Sequence, residues 1–299
     1  MVARLSRNFG FWSEAEQARI SSSTVALAGV GGDGYLLGLS LIRMGVQKLV
    51  VADPEVFEEE NINRVPGATS KTVGLSKVDC FVADATAIDP EISIRSYSEG
   101  VTAANVDEFL DGVDLVVDET ELTHLELGAM ISDTAALLGV PVVIVMNIGF
   151  AAQVTALAPD GPGFRQMMDI STSESLDEIS RRTVDFARCI PYLPPYTDLD
   201  VLAAVVDGAS LPSVVSGVNL AAALGASQCF LWLTKGIEVE RPDPITFPTV
   251  RYIDSLTGES RAIRNVNLHY KLSLLRMKFS ELRGRTPKLR YPVENSRRT

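Results

Sequence analysis

Apolar residues fall along this chain in short blocks, and their period switches between two and about three and a half. Residues 12–21 carry a polar pattern at helical spacing and predict a short helix ending near the serines of SSST. TVALAGVGGDG is a short apolar strand running into glycines, YLLGLSLIRMG has an apolar helical face, and VQKLVVAD is a second buried strand ending on Asp53. Together they predict one βαβ unit, and strands this apolar suit a parallel sheet covered on both faces. The alternation then repeats. SKVDCFVADATAID reads as a helix stopped at Asp89-Pro90, ISIRSYSE as a strand and VDEFLDG as a short helix. DLVVDET follows as a strand ending in carboxylates, LELGAMISDTAALLG as a helix and PVVIVMNIG as a fifth strand. Strand and helix alternate to about residue 155, the pattern of an α/β, doubly wound, mostly parallel sheet.

Beyond that point the pattern weakens. Residues 159–212 hold Gly-Pro, a serine-rich run and IPYLPPYTD, and predict an irregular crossing segment. LPSVVSGVNLAAALGASQCFLWLTKG predicts a long helix of small residues packed on the sheet. TVRYIDSLTGESRAIR predicts an antiparallel hairpin turning at Leu256-Thr257-Gly258. The expected organisation is therefore a nucleotide-type domain over residues 1–237, a β-hairpin and helix extension over 238–282, and a flexible basic tail, RGRTPKLRYPVENSRRT, over 283–299.

Composition narrows the function classes. The 299 residues are 46% hydrophobic and carry a net charge of −11, which argues against nucleic acid or an anionic membrane as a partner. Cys80, Cys189 and Cys229 are widely spaced with no C-x-x-C pair, so neither a zinc site nor a disulfide framework is expected. No signal-peptide pattern and no run of about 18 apolar residues stands out, which predicts no transmembrane span and a cytoplasmic location.

The candidate chemistry begins at Gly29-Val30-Gly31-Gly32-Asp33-Gly34, a G-x-G-x-x-G turn between a strand and a helix. Its glycines let backbone approach a phosphate, and the helix N-terminus offers free N–H groups to an anion. Asp53, ending the next strand, is placed to accept hydrogen bonds from a ribose. Asp33 stands out, because a carboxylate there suits the helix dipole but repels a polyphosphate, unless it points away. The loop after Asp53 collects Asn61, Asn63, Arg64, Lys71 and Lys77. A dehydrogenase has no general need for these cations, whereas attack on the α-phosphate of ATP builds charge that fixed Arg and Lys side chains stabilise.

Taken in order, GVGGDG, LVVAD, NINR, VGLSK and VVDETE resemble the E1-like activating family, the ThiF/MoeB/HesA group related to ubiquitin-activating enzymes. The resemblance covers about residues 7–155 and continues more weakly through the late helix. It implies a Rossmann-like fold, with Gly29, Gly31, Gly32 and Gly34 forming the nucleotide loop, Asp53 on the ribose, and Asn61, Arg64 and Lys77 at the phosphates. It also implies that Glu121 holds Mg2+ where relatives carry Asp, and that Arg7, or less readily Arg4, reaches into a partner subunit's site in a homodimer. Val65 replaces the usual Gln after the motif arginine. Cys189, in the crossing segment, is a candidate thioester or persulfide thiol, whereas Cys80 and Cys229 are read as packing residues. The implied activity is ATP- and Mg2+-dependent adenylation of a carboxylate, with the C-terminus of a small ubiquitin-like or sulfur-carrier protein, or of a peptide, as partner. Two alternatives stay open: a catalytically weak nucleotide-binding partner protein, and an NAD(P)-dependent oxidoreductase.

Overall fold

A computed structural model describes residues 3–198, 200–201, 212–264 and 266–282. The tail over 283–299, and residues 199 and 202–211 of the crossing segment, lie outside the described residues.

Among the described residues the strands are β1 (Thr24–Ala28), β2 (Lys48–Ala52), β3 (Ser93–Tyr97), β4 (Leu115–Asp118), β5 (Val142–Ile148), β6 (Ala151–Leu157), β7 (Val250–Asp254) and β8 (Ser260–Ile263). They form one sheet in the order β3-β2-β1-β4-β5-β6-β7-β8. β1 to β5 pair in parallel, and β6, β7 and β8 add antiparallel strands at the far edge. The hairpin near residue 256 thus continues the sheet. Its turn is held by Asp254 Oδ1, which accepts from Leu256 N at 2.8 Å and Thr257 N at 3.1 Å.

The helices long enough to form layers are α1 (Glu14–Ser22), α2 (Gly32–Met44), α3 (Lys77–Ile88), α4 (Val106–Leu110) and α5 (Leu125–Leu137). Three short helices follow in the crossing segment, α6 (Phe164–Met168), α7 (Leu176–Ile179) and α8 (Phe186–Cys189). α9 (Val215–Leu233) and α10 (Val266–Leu282) follow among the described residues. Strand period two divides the core. Val25, Leu27, Leu49 and Val51 join Leu37, Phe81 and Ala221 from α2, α3 and α9. Ala26, Ala28, Val50 and Val116 face the other way, toward Phe109, Ile131, Phe164 and Met277. Burial of both faces is what requires the strands to be apolar throughout.

Two expectations change. Residues 151–157 form β6, which the sequence did not announce. All seven side chains of β6 are buried, polar Gln153 and Thr155 included, so no alternation marks it. It follows β5 after only Gly149-Phe150, and Gly149 has φ of +61°. The second change concerns α9, whose 19 residues and mean hydropathy of 1.2 are by length and composition enough to cross a membrane. Here the helix packs on α2, β5 and β6, burying Val218, Ala221, Ala222 and Cys229.

The parallel register sets up the site. Ala28 pairs with Ala52 on one side and Asp118 on the other, so Gly29, Asp53 and Glu119 leave the sheet side by side. Gly29 N donates to Ala52 O at 2.8 Å, and Glu119 N to Ala28 O at 2.8 Å. This is the crevice where strand order reverses, the usual ligand position in open α/β sheets.

Candidate functional site

The glycine turn is tight for a geometric reason. Gly29 adopts φ of +106°, and a Cβ there would lie 2.5 Å from the Glu119 carbonyl oxygen. A Cβ on Gly34 would come within 2.3 Å of the Gly29 carbonyl oxygen. Gly31 caps α2 and a Cβ on it would meet nothing within 4 Å, so its backbone is open to an approaching group. Asp53 is 6% exposed and organises the turn: Oδ2 accepts from Val30 N at 2.9 Å and Oδ1 from Glu55 N at 2.9 Å. A carboxylate offers about four lone-pair directions, so each oxygen keeps one for a further donor. Burial pushes the Asp53 carboxyl upward, and the Lys77 ammonium pulls it back.

Two cations after β2 act on the carboxylates at this turn. Lys77 opens α3, is 7% exposed, and pairs with Glu55 while acting on Asp53. Arg64 is half-buried, donates from Nη1 to Glu60 O at 2.8 Å and Asn63 Oδ1 at 2.9 Å, and its charge is felt by Asp33. Asn61 is buried, with its side-chain oxygen accepting from Glu58 N at 3.0 Å, so that oxygen shapes the turn leading to Arg64. Val65 is buried in the core between α2 and α3.

Asp33 is turned to the end of β5. It accepts from Asn147 N and from Asn147 Nδ2, each at 3.0 Å. Asn147 Oδ1 in turn accepts from Ser213 Oγ at 2.7 Å, and Ser213 O accepts from Asn63 Nδ2 at 3.2 Å. A chain of hydrogen bonds therefore runs from Arg64 through Asn63, Ser213 and Asn147 to Asp33. Burial raises the Asp33 carboxyl to about 6, against the pull of the Asn147 donors and Arg64. Asp118 and Glu119 at the end of β4 are also raised by burial, and Asp33 adds to the effect on Glu119. Sequence reasoning missed Asn147, Glu119 and Gln153. The run VVDETE did display the β4 carboxylates, but nothing in the sequence paired Asp33 with Asn147 or Gln153 with the Cys189 carbonyl.

Other candidates stand further out. Glu121 is exposed just past β4, with Oε2 accepting from Thr123 Oγ1 at 3.2 Å. One exposed carboxylate of this kind fits Mg2+, which is commonly held by one or two carboxylates together with substrate phosphates. Arg7 is exposed in a 3-10 turn, whereas Arg4 of the same turn is paired with Asp89. Cys189 does not have the setting of a reactive thiol. It is 6% exposed, burial pushes its thiol up to about 12, and neighbouring Arg188 is taken by Asp169 at 2.7 Å. A nucleophilic cysteine needs the opposite shift. Cys229 is buried and Cys80 half-buried in helices, as packing residues are.

A cavity of about 130 Å3 opens beside Asp33, Asp118, Glu119 and Glu121 and runs to Gln153 and Phe247. It therefore adjoins the glycine turn.

Known proteins share this fold. E. coli MccB, solved with ATP, superposes with a TM-score of 0.65 at 15% identity, covering 87% of this chain and 71% of that one. PaaA gives a TM-score of 0.60 at 18% identity, over 83% and 66%. Such likenesses concern the fold. In sequence, the SAMP-activating enzyme E1 of Haloferax volcanii is 32% identical over 149 residues, 50% of this chain and 54% of that protein. The adenylyltransferase and sulfurtransferase MOCS3 of Arabidopsis thaliana is 32% identical over 145 residues, 48% and 31% respectively. The tRNA threonylcarbamoyladenosine dehydratase of Bacillus subtilis is 32% identical over 122 residues, 40% and 48%. The chain spans about half, or less, of the length of these relatives. The ThiF family profile matches residues 4–272, which takes in the glycine turn, the cation arm, the crossing segment and the late strands, and the chain belongs to the ThiF family.

Proposed function

We propose that the protein adenylates a carboxylate at the expense of ATP and releases pyrophosphate. The observation that supports this reading is that the charges of Arg64 and Lys77 act on Asp33 and Asp53, the carboxylates at the glycine turn. A carboxylate oxygen attacks the α-phosphorus, the bond to the bridging oxygen of pyrophosphate breaks, and the product is a mixed anhydride. The attacking carboxylate is already ionised at neutral pH, so no general base is required. The chain supplies position and charge: Gly31 and the α2 N-terminus cradle phosphate, Asp53 holds the ribose, and Arg64, Lys77 and Asn61 face the phosphates. Glu121 would hold Mg2+, which neutralises charge on the phosphoryl oxygens when bound. Arg7, exposed at the chain start, suits a homodimer in which it completes the partner's site.

The carboxylate is that of a small carrier protein or peptide, in a cytoplasmic setting. Support comes from relatives whose names include SAMP activation and from solved complexes of MccB with MccA. The test is ATP–pyrophosphate exchange in the presence of candidate carboxylates and Mg2+. Exchange should fall about 100-fold in Arg64→Ala. Absence of exchange with every carboxylate, together with absence of ATP binding, removes the reading. Asp33 favours a second one, a weakly catalytic nucleotide-binding partner protein, because an ionised carboxylate in the first turn of α2 opposes a polyphosphate. ATP binding without exchange selects it. An NAD(P) oxidoreductase leaves the placement of Arg64 and Lys77 unused.

A further inference from the structure

The acidic residue in the first turn of α2 is Asp33, and α2 starts without a side-chain cap. An Asp at such a position ordinarily turns onto the free N–H groups of its own helix, where the dipole favours it. Those are the N–H groups that a phosphate on the glycine turn needs. Here the carboxylate is drawn off instead. Asn147 donates its backbone N–H to Asp33 Oδ2 at 3.0 Å, and its Nδ2 donates to Oδ1 and Oδ2, each at 3.0 Å. Both Asn147 donors lower the Asp33 carboxyl against the effect of burial, so they hold its charged form.

The aim of Asn147 is itself fixed. Val143 and Val145 of β5 lie in the core with α2, and the strand period of two turns Asn147 to the same side. Asn147 Oδ1 accepts from Ser213 Oγ at 2.7 Å, which leaves Nδ2 directed at Asp33. A flipped amide would set its oxygen against the carboxylate. Ser213 is held in turn by a bridge to Gly149. A Cβ on Gly217 would lie 2.0 Å from the Gly149 carbonyl oxygen, so the start of α9 is pressed backbone to backbone on the β5–β6 turn.

We propose that Asn147 is a positioning residue for the nucleotide: it holds the Asp33 carboxylate off the first N–H groups of α2 and so leaves them to phosphate. A glycine turn that carries Asp33 would otherwise cap itself and exclude its ligand. Ser213 sets the amide, which ties the phosphate cradle to the point where the crossing segment returns to the sheet. This rests on the adenylation reading for the ligand on the turn. No proton transfer or covalent step is involved.

The test is calorimetric titration of the full chain with ATP and Mg2+ at pH 8, above the value of about 6 for Asp33. Asn147→Leu releases Asp33 onto its own helix, and ATP affinity should fall about ten-fold. Asp33→Ala should bind at least as tightly as the parent protein. The double variant Asp33→Ala/Asn147→Leu should match Asp33→Ala, because the loss acts through the carboxylate. A merely structural role for Asn147 would leave the double variant weak. Should Asn147→Leu fail to fold, Ser213→Ala frees the amide to rotate, and its loss of about three-fold should likewise vanish in the Asp33→Ala background. Unchanged affinity in Asn147→Leu overturns the proposal, as does a double variant as weak as Asn147→Leu. The readout is binding, so the two readings separate. Loss in Asn147→Leu and recovery in the double variant, without pyrophosphate exchange by the parent, removes adenylation and leaves the role of Asn147 standing. A parent protein that binds no ATP overturns both.

Discussion

A carboxylate in the first turn of α2 sits at the end of the helix where phosphate is expected, and Asp33 occupies that turn. Its carboxyl, raised to about 6 by burial, is largely neutral below that pH and ionised above it. Ionisation adds negative charge beside the glycine turn, favoured by the Asn147 donors and Arg64. ATP affinity should therefore weaken as pH rises from 5 to 8, and Asp33→Asn should flatten that dependence, measured by calorimetry across the range. Cys189 gives a second prediction at this scale. With its thiol raised to about 12 and its side chain buried, it should resist iodoacetamide at pH 8 in the native protein, whereas half-buried Cys80 reacts first. Peptide mapping by mass spectrometry reads the order. The sequence named Asp53, Arg64 and Lys77 because their spacing from the glycines is local. It could not place Cys189, since adjacency to Arg188 says nothing of where the guanidinium turns. Here it turns to Asp169, nineteen residues earlier.

At the scale of elements, the β1–α2 turn depends on close backbone approach. Gly29→Ala must place a side chain at φ of +106° and push a Cβ to 2.5 Å from Glu119 O. The left-handed conformation costs about 1–2 kcal/mol, and the backbone clash brings the expected loss to about 3 kcal/mol. Urea denaturation should show it, with ATP binding lost in parallel. β1, β2, β4 and β5 were legible because each is an apolar block bounded by turn residues or carboxylates. α2 and α5 were legible because an apolar face recurs at helical spacing. β6 was not, because a strand buried on both faces and entered through a two-residue turn has neither alternation nor a conspicuous boundary. The short helices α6, α7 and α8 escaped for a different reason. α7 and α8 have four residues each, and α6 five, and unlike five-residue α4 they lie among glycines, prolines and serines with no legible strand on either side to frame them.

Across the whole molecule, distant parts of the chain are tied by an ion pair between buried Glu16 and exposed Arg241. Glu16 of α1 accepts from Arg241, which follows α9, at 2.8 Å and 3.0 Å, and Arg241 also donates to Phe11 O at 2.8 Å. The hydrogen bond from Arg241 is the main force holding the Glu16 carboxyl at about 2, below its ordinary 4.5. A depressed carboxyl stabilises the fold above the unfolded value. That contribution is complete above about pH 4.5 and is lost as pH falls toward 2. Arg241→Gln should lower stability by about 1–2 kcal/mol at pH 7, a figure discounted for solvent screening. The difference from the parent protein should close as denaturation curves are taken toward pH 2. No local pattern could announce this pair, because its members are separated by 225 positions.

By itself the sequence determined the βαβ order, the glycine turn, the carboxylate that follows β2 and the two cations after it, because each depends on residues near one another in the chain. Tertiary structure alone decided that Asp33 turns to Asn147, that the Cys189 thiol is buried away from a free cation, and that Glu119 and Gln153 are buried. Those outcomes depend on which strands lie side by side, and β4, β5 and β6 meet only when apolar burial on both faces closes the sheet.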